Sequence, residues 1–409
     1  MLRRLILIVT TAILFSSSMT LAETKKPQPP DKFPPSPLEI TTPDPLLPRL
    51  PKNKQPLTLE EQQNLEPALD ALNQEATAKL QAGDQVAAFE IWNRELRLRR
   101  FLGSLAEVQA LSRVGAIAWK QNDPQEVQYI TQRLQAIQKQ AQSQKKTAQT
   151  DLELWRSLAQ AYQNVRSLKQ AVEAYNQVLP VVREQKNATA LVEMLKTIGE
   201  LHLSWFDYRK AAPIYEELLS FATSQGERVN EVTYLQQLAE IYEQTSQPQQ
   251  SLNVLNKLAG IYANENNLTK IPDLKLAIAS NYESLAKKDP NLLLEAFKNY
   301  QEAYTTAWQL RQYVRAGEAL QKLIALYRSQ GQTDEALQAS EILVQIQAQS
   351  VNFYGMMQAY DQIGQLYVER KEFPQALTAF QKGLELAQQL KHQEAYFTGQ
   401  IKKISNANL

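Results

Sequence analysis

The amino-acid sequence predicts an all-α fold, a right-handed α-solenoid of about eight helical hairpins closed by a C-terminal capping helix. Tyrosine returns at nearly equal intervals: Tyr162, Tyr242, Tyr282, Tyr327 and Tyr367. The interval is 40 residues, with His202 in the one missing position, and it lengthens to 45 residues between Tyr282 and Tyr327. A constant period of about 20–50 residues is typical of stacked repeats. Because no apolar–polar alternation of period two persists, we expect no β-strands.

Composition and charge exclude several classes of function. The chain has 409 residues, and its 44 Lys and Arg against 43 Asp and Glu give a net charge of +1, which supplies no field to attract nucleic acid. It has no cysteine, which excludes disulfides, thiolate nucleophiles and Cys-type zinc sites. The two histidines, His202 and His392, are far apart in sequence. We therefore expect no metal, no cofactor and no nucleic-acid partner.

Residues 1–22 have the pattern of a secretory signal peptide. Two arginines, Arg3 and Arg4, precede an apolar run from Leu5 to Phe15, and small residues follow as far as Ala22. This order predicts export with cleavage after Ala22. An uncleaved membrane anchor is the alternative, since the apolar run extended to Ala22 approaches the ~20 residues that span a bilayer. A lipoprotein signal is excluded because no cysteine could carry the lipid.

Residues 23–57 form a proline-rich leader. Between Pro27 and Pro56 lie eleven of the 19 prolines of the chain. Each proline removes a backbone donor and disfavours helical angles in the residue before it. We expect a disordered, extended tether with no core of its own, which spaces the folded part from a membrane or wall. A ligand for a proline-recognising groove is the alternative.

Residues 58–409 are predicted to form the solenoid. Thr58, followed by Glu60 and Glu61, is a suitable start for the first helix. The second helices of three hairpins should begin at prolines, where a helix tolerates this residue: Pro124, Pro248 and Pro374. Pro180 does not fit such a position, so we expect a kink or an early stop there.

Eight units follow one another along this region. They open near Leu72, Leu111, Trp155, Leu195, Leu235, Lys275, Leu320 and Tyr360. In the sixth unit, five extra residues from Lys287 to Asn291 lengthen the turn between the helices. In the seventh unit, Ile324 occupies a position that otherwise holds a small residue, so the two helices of this unit should lie further apart. The last repeat ends near residue 390, and apolar residues at helical spacing in 394–404 predict the capping helix.

Small residues mark the places where the two helices of a unit should meet. In the first helices they are Gly115, Ala159, Gly199, Ala239, Ala279 and Gly364. In the second helices they are Ala88, Ala171, Ala211, Ser251, Ala296, Ala336 and Ala376. Small side chains allow close approach, and the aromatic residue of the Tyr162 position should wedge between one hairpin and the next. Because one hairpin cannot bury such a face alone, stability should come from neighbouring hairpins.

This pattern resembles the tetratricopeptide repeat (TPR) family. The third unit carries it as Trp155-x-x-Leu158-Ala159-x-x-Tyr162, followed by Ala171 and Tyr175. The eighth unit carries it as Tyr360, Ile363, Gly364, Tyr367, Ala376, Phe380 and Gly383. The resemblance covers residues 65–390 and is to members with long units, near 40 residues. The glutamine-rich repeats, the leader and the signal pattern are similar to exported bacterial TPR proteins of cyanobacterial type.

The TPR resemblance implies a concave groove, lined by the first helices, that holds a segment of another protein. The positions it assigns to the groove are Arg156, Gln160, Gln163, Lys196, Glu200, Leu203, Gln236, Glu240, Glu243, Leu276, Ser280, Glu283, Gln321, Ala325, Arg328, Asp361, Gln365 and Val368. Some family members grip the acidic C-terminus of chaperones through lysines and asparagines. This chain has Arg156 and Lys196 but lacks the accompanying asparagines, so a co-chaperone role is not expected.

Three further features have a structural and a functional interpretation. His202 occupies the tyrosine position of its unit, so we expect a core imidazole rather than a ligand. Four arginines of the first unit should form a solvated helix face, with contact to anionic lipid or an acidic partner as the alternative: Arg94, Arg97, Arg99 and Arg100. Trp119 and the pair Trp205–Phe206 lie at the ends of first helices, where packing between repeats is expected.

No enzyme motif is present, since the chain has no glycine-rich phosphate loop, no H-E-x-x-H and no G-x-S-x-G. The sequence therefore predicts a non-enzymatic, exported adaptor that binds another protein through its groove, in the periplasm, the thylakoid lumen or outside the cell. Membrane contact would occur only through an uncleaved N-terminus or the Arg94–Arg100 cluster. A cell-wall- or polysaccharide-binding envelope protein is the first alternative, and an N-terminally anchored TPR protein is the second.

Overall fold

The computed structural model describes residues 36–39, 43–47, 57–143 and 148–407. The chain divides into two compact units, residues 1–140 and 141–409, and each has its own buried apolar clusters. The described residues form helices, turns and connecting segments with no β-strand among them, as the sequence predicts. The signal peptide predicted for residues 1–22 lies outside this part of the chain and stays a prediction.

The first four helices make up two hairpins. They are α1 (Leu59–Gln81), α2 (Gln85–Arg99), α3 (Ser104–Lys120) and α4 (Pro124–Ser143), with a short 3-10 turn at Arg100–Leu102. The start of α1 is confirmed by its cap. The Thr58 hydroxyl accepts from the Glu61 N–H at 3.2 Å, and the Glu61 carboxylate accepts from the Thr58 N–H at 2.7 Å. This reciprocal pair satisfies two donors near the helix start, where the first N–H groups have no partner within the helix.

The second unit continues with six hairpins and a final single helix. Its helices are α5 (Ala148–Asn164), α6 (Leu168–Glu184), α7 (Ala188–Ser204), α8 (Tyr208–Gln225), α9 (Arg228–Gln244), α10 (Pro248–Asn264), α11 (Ile271–Ala286), α12 (Leu293–Gln309), α13 (Tyr313–Ser329), α14 (Thr333–Gln349), α15 (Phe353–Glu369), α16 (Phe373–Leu390) and α17 (Glu394–Ala407). Consecutive helices pack against each other along this unit. The predicted hairpins are confirmed, and the right-handed sense of the solenoid stays a prediction.

The small residues lie where the helices of a hairpin approach closely. A Cβ on Gly199 would lie 2.9 Å from the Tyr215 ring, and a Cβ on Gly364 would lie 2.7 Å from the Phe380 ring. The alanines of the second helices are fully buried: Ala88, Ala171, Ala211, Ala296, Ala336 and Ala376. Any larger side chain at these positions would push the helices apart, which is why the repeat keeps them small.

The recurring tyrosine connects successive hairpins, as predicted. Tyr162 is fully buried. The Tyr242 hydroxyl, on α9, donates to the Glu216 carboxylate on α8 of the preceding hairpin. The Tyr327 hydroxyl, on α13, accepts from the Gln301 amide on α12 at 3.2 Å. The joint between hairpins therefore combines ring packing with a hydrogen bond at the ring's polar end.

Prolines begin second helices where predicted, at Pro124 in α4, Pro248 in α10 and Pro374 in α16. The early stop expected at Pro180 is wrong, because α6 continues through it to Glu184. Val178 and Val182, on either side of Pro180, are fully buried. Burial of these flanking side chains stabilises the last turn more than the one missing hydrogen bond destabilises it.

The leader is not a free tether throughout. Ser36–Glu39 and Asp44–Leu47 each form a turn in which the N–H of the fourth residue donates to the C=O of the first at 3.0 Å. Leu38 is 3% exposed and Leu47 is 8% exposed, and Leu47 packs with leucines of α1 and α2. The expectation of a segment without buried residues is wrong for these two turns, because their leucines offer apolar surface that the first hairpin covers. The bounds given for the leader, residues 23–57, stay a prediction.

A capping helix closes the C-terminal end of the second unit. Phe397 of α17 is fully buried and Ile404 is 5% exposed. A Cβ on Gly383 of α16 would overlap the Phe397 ring, so the two helices are in close contact. The capping helix predicted for 394–404 is confirmed, and it extends to Ala407.

Candidate protein-binding surface

The predicted groove residues lie on the first helices of the second unit, and we call their surface the first-helix face. Its exposed members are Arg156, Gln160, Glu200, Gln236, Glu240, Glu243, Ser280, Gln321, Ala325 and Val368. Its half-buried members are Gln163, Lys196, Leu203, Leu276, Glu283, Arg328, Asp361 and Gln365. None is buried in the core, which is a requirement for contact with a partner. Their role in binding stays a prediction.

One part of the first-helix face is hollow. A cavity of about 350 Å³ lies between α9 and α11, above the start of α10. Glu240 and Glu243 of α9 line one side, and Ser280 of α11 lines the other. The structure thus brings together side chains that are 40 residues apart in sequence. This volume lies within the ~300–1,000 Å³ typical of ligand pockets, and it would admit one or two side chains of a partner.

Two residues that the sequence interpretation missed also line this cavity. Asn281 and Ser284 lie on α11, one position after Ser280 and Glu283 respectively. The Asn281 amide donates to the hydroxyl of Ser251 on α10 at 3.1 Å, which fixes its orientation. The helical period could have found both residues, because Ser284 is four positions after Ser280 and three after Asn281, and residues at these spacings share a helix face.

The cavity is negatively charged. Within the described residues, neither Glu240 nor Glu243 forms an ion pair. Burial raises the pKa of Tyr215 to about 12, and the charges of Glu200 and Glu240 add to this shift. The same Tyr215 hydroxyl therefore senses carboxylates from α7 and α9. A cation brought to this region would be attracted by several carboxylates at once.

Other members of the first-helix face are held by the protein itself. The Gln163 amide donates to the Tyr175 hydroxyl at 3.0 Å, and the Gln236 amide donates to the Tyr262 hydroxyl at 3.0 Å. The Tyr300 hydroxyl donates to Glu283 at 2.9 Å. These side chains tie each first helix to the second helix of its own hairpin. Their substitution would change stability as well as binding.

At the C-terminal end, α17 covers part of the first-helix face. The Tyr396 hydroxyl donates to Asp361 at 2.9 Å, and the Gln365 amide donates to the same carboxylate at 2.8 Å. Burial raises the pKa of Asp361 above its ordinary value. Asp361 and Gln365 are therefore committed to the cap, and a partner would not reach them without moving α17.

No family model and no curated protein matches this chain. Solved structures do match. BtubC from P. vanneervenii is 20% identical over 55% of this chain and 90% of that chain, with a TM-score of 0.38. A kinesin light chain from Podosopora anserina with TPR-like repeats is 14% identical over 48% of this chain and 96% of that chain, with a TM-score of 0.37. The apo quorum sensor NprR from B. thuringiensis is 17% identical over 73% and 80%, with a TM-score of 0.35.

The assignment of the repeat rests on the hairpins of this chain. Small residues at the helix contacts, a tyrosine at the joint between hairpins and a terminal capping helix occur together. The chain is a TPR-like α-solenoid. Within its described residues, no group of three or more His, Cys, Asp or Glu side chains is placed to hold a metal ion. No helix among them combines the length and apolar character that crossing a bilayer requires.

The arginines of the first hairpin of this TPR-like solenoid are not a free basic face. Arg94 forms a bidentate pair with Asp44 of the leader, at 2.8 and 2.9 Å. The Arg97 guanidinium donates to the Pro37 C=O at 2.6 Å, and that of Arg100 donates to the C=O of Leu38. The solvated helix face expected for this cluster is wrong for Arg94, Arg97 and Arg100, because the leader occupies their guanidinium groups. The sequence separation of 50 residues or more hid this contact. Contact with anionic lipid or an acidic partner stays a prediction.

Three aromatic residues expected to pack between repeats are exposed. Trp119 is 51% exposed, Trp205 is 54% exposed and Phe206 is 76% exposed. They lie at or just beyond the last turn of a first helix, where the next hairpin no longer covers the helix. The predicted packing is wrong for these residues. His202 is half-buried, as a residue in the tyrosine position should be, but it lines a cavity.

Proposed function

We propose that this TPR-like solenoid is an exported scaffold that binds a segment of another protein on the first-helix face. The cavity between α9 and α11 carries the proposal, because three predicted groove residues, Glu240, Glu243 and Ser280, meet there. Its carboxylates have no ion-pair partner within the described part of the chain, so they remain free to receive a partner's cationic or hydrogen-bonding groups. A solenoid presents such groups in a row, one set per hairpin.

The test combines site-specific crosslinking with charge removal. A photo-crosslinking residue at position 280 in the full chain should join the protein to one partner in native extract. The double substitution Glu240→Gln, Glu243→Gln keeps the shapes of the side chains and removes their charge. It should reduce this crosslink at least ~fivefold, since a charge-assisted hydrogen bond contributes ~1.5–3 kcal/mol. The melting temperature should stay nearly unchanged, because both side chains are exposed.

A matched control lies on the second helix of the same hairpin. Asn253, Asn256 and Lys257 of α10 are exposed and lie outside the cavity. Their substitution by alanine should leave the crosslink at position 280 intact. Retained capture by the Glu240→Gln, Glu243→Gln variant would remove the site from the first-helix face. Recovery of the crosslink only with insoluble wall material would favour a polymer-binding envelope protein instead.

Export is the second part of the proposal and rests on residues 1–22. The order of two arginines, an apolar run and small residues supports cleavage after Ala22. N-terminal sequencing of the mature protein should find Glu23 as the first residue. An intact Met1 in the membrane fraction would instead show an N-terminal anchor.

A further inference from the structure

Several unusual features meet at the corner between α7 and α8. His202 stands where the units with the recurring aromatic otherwise carry tyrosine. Trp205 and Phe206 follow it and are 54% and 76% exposed. Phe206 has a φ of 57°, the left-handed conformation that the corresponding turn residues Asn122, Arg166, Ser246 and Lys371 also adopt, and one that is unfavourable for a bulky aromatic residue. Neither burial nor backbone preference explains why two large aromatic residues occupy this turn.

The same corner encloses a cavity of about 430 Å³. Leu168 and Val172 of α6 and Leu201 of α7 give it apolar walls, and the Trp205 indole adds an aromatic one. The His202 side chain, 12% exposed, also lines it. A concave, mostly apolar space with a few polar groups is the usual form of a site that encloses a small group.

The charged residues around this cavity balance one another. Lys169 and Lys210 contribute two positive charges, and Glu173 and Asp207 contribute two negative charges. The Lys210 ammonium lies 3.0 Å from the Asp207 carboxylate, which neutralises both. The cavity therefore favours neither a cationic nor an anionic ligand, and an uncharged group with apolar surface fits best.

The imidazole supplies a hydrogen-bond acceptor. Burial lowers the pKa of His202 below its ordinary value, which favours the neutral ring at pH 7. A neutral imidazole has one N–H donor and one acceptor nitrogen. Nδ1 lies 3.7 Å from the Asp207 carboxylate, which is longer than a hydrogen bond but close enough for the negative charge to attract a proton on Nδ1. Nε2 then remains as an acceptor on a ring that lines the cavity.

We propose that this corner is a second binding site, for an aromatic ring that carries a hydrogen-bond donor, presented as a tyrosine or tryptophan side chain of a partner protein. The ring stacks on Trp205, and its O–H or N–H donates to Nε2 of His202. The site lies among α6, the end of α7 and the start of α8, and it shares no lining residue with the cavity between α9 and α11. It is therefore independent of the function proposed above.

The binding test uses N-acetyl-tyrosinamide as the probe and side-chain NMR signals as the readout. The chain has only two histidines and five tryptophans, so selectively labelled imidazole and indole signals can be assigned by substitution. The probe should give saturable shifts of His202 and Trp205. N-acetyl-phenylalaninamide, which lacks the donor, should bind about two- to tenfold more weakly. Shifts spread over all five indoles, or none that saturates, would overturn the proposal.

Two variants and one control test the assignment. His202→Tyr places the residue of the other units in the cavity, so it should fold normally and lose the binding. Trp205→Ala should weaken binding at least ~fivefold through loss of the stacked ring. Trp308→Ala, at a residue that is 43% exposed elsewhere in the second unit, should leave affinity unchanged. Equal affinity of the wild type and the folded His202→Tyr variant would overturn the site.

A final comparison distinguishes a partner's side chain from a free small molecule. The blocked amide resembles a residue within a polypeptide, whereas free tyrosine carries a charged amino and a charged carboxyl group. Binding of the amide at least as tight as that of free tyrosine is expected for a side chain of a partner. Much tighter binding of free tyrosine would overturn that assignment.

Discussion

Gly364 and Gly260 both lie within helices, and their surroundings are opposite. A Cβ on Gly364 of α15 would lie 2.7 Å from the Phe380 ring, whereas a Cβ on Gly260 of α10 would meet nothing within 4 Å. Gly364→Ala should therefore destabilise the protein by ~1–3 kcal/mol through overpacking. Gly260→Ala should stabilise it by ~0.5–1 kcal/mol, because alanine loses less entropy in a helix. Chemical denaturation measures both changes, and a neutral Gly364→Ala would contradict the close contact of α15 with α16.

Single residues show what periodicity can predict. The positions of Gly199, Gly364 and the buried alanines follow from the repeat, because every hairpin imposes the same contact. The exposure of Trp205 and Phe206 does not follow from it. Whether an aromatic residue at a helix end is covered depends on where the next hairpin turns. The hydrophobicity of the residue carries no information about the position of that turn.

Among elements, the contact between α2 and α4 contains a buried carboxyl group. The Asn93 amide nitrogen donates to one Glu126 oxygen at 3.1 Å. The Asn93 amide oxygen and the second Glu126 oxygen have no partner within the described residues. Burial raises the pKa of Glu126 to about 7. A proton on the free Glu126 oxygen would supply the donor that the free oxygen of Asn93 lacks.

We predict that the first unit is more stable in mild acid than in mild base. The raised pKa means that folding favours protonated Glu126. This contribution is fully present below the ordinary pKa of 4.5 and is lost as pH rises through about 7. Hydrogen exchange of α2 and α4 should show a loss of ~2–3 kcal/mol between about pH 5 and about pH 9. Glu126→Gln should remove this dependence, while Glu90→Gln, at an exposed residue of α2, should retain it.

The docked leader can be tested by exchanging its charges. Arg94→Glu should release the turn at Asp44 and increase hydrogen exchange of residues 44–47 by about fivefold, since a partly exposed pair contributes ~1 kcal/mol. The exchanged pair, Asp44→Arg with Arg94→Asp, should restore protection. Arg183→Glu, which breaks the ion pair with Glu217 on the second unit, should have no effect there. Unchanged exchange in the Arg94→Glu variant would show that the leucines alone hold the leader.

Acid should release the leader as well. The hydrogen bond from Arg94 lowers the pKa of Asp44 below its ordinary value of 3.8. The pair therefore contributes stability above that pH and loses it as pH falls further.

The sequence did not predict that the leader docks on the first hairpin, because proline content correctly indicates the lack of a helix but says nothing about docking. Leu38 and Leu47 were the available signal, since a pure spacer needs no leucine.

At the scale of the molecule, the main feature is the second unit, which is a row of hairpins in which each hairpin contacts its neighbours. The element order and the packing of consecutive helices could be predicted from a 40-residue period, because local repetition specifies them. The identity of a partner could not, since the first-helix face differs from hairpin to hairpin. The stability of such a row is the sum of the stabilities of the hairpins and of the interfaces between neighbours. A substitution that destabilises one end should therefore unfold only the hairpins near that end.

Phe397→Ala tests this directly. The side chain is fully buried between α17 and α16, and its removal should cost ~3–5 kcal/mol at that interface. Hydrogen exchange should then show lost protection in α15, α16 and α17, while α7 to α10 keep theirs. Tyr396→Phe is the control, because it removes only the hydroxyl that donates to Asp361 and should cost ~0.5–1.5 kcal/mol at the same place. Equal loss of protection along the whole second unit would mean that it unfolds as one cooperative body, and the additive description of the row would be wrong.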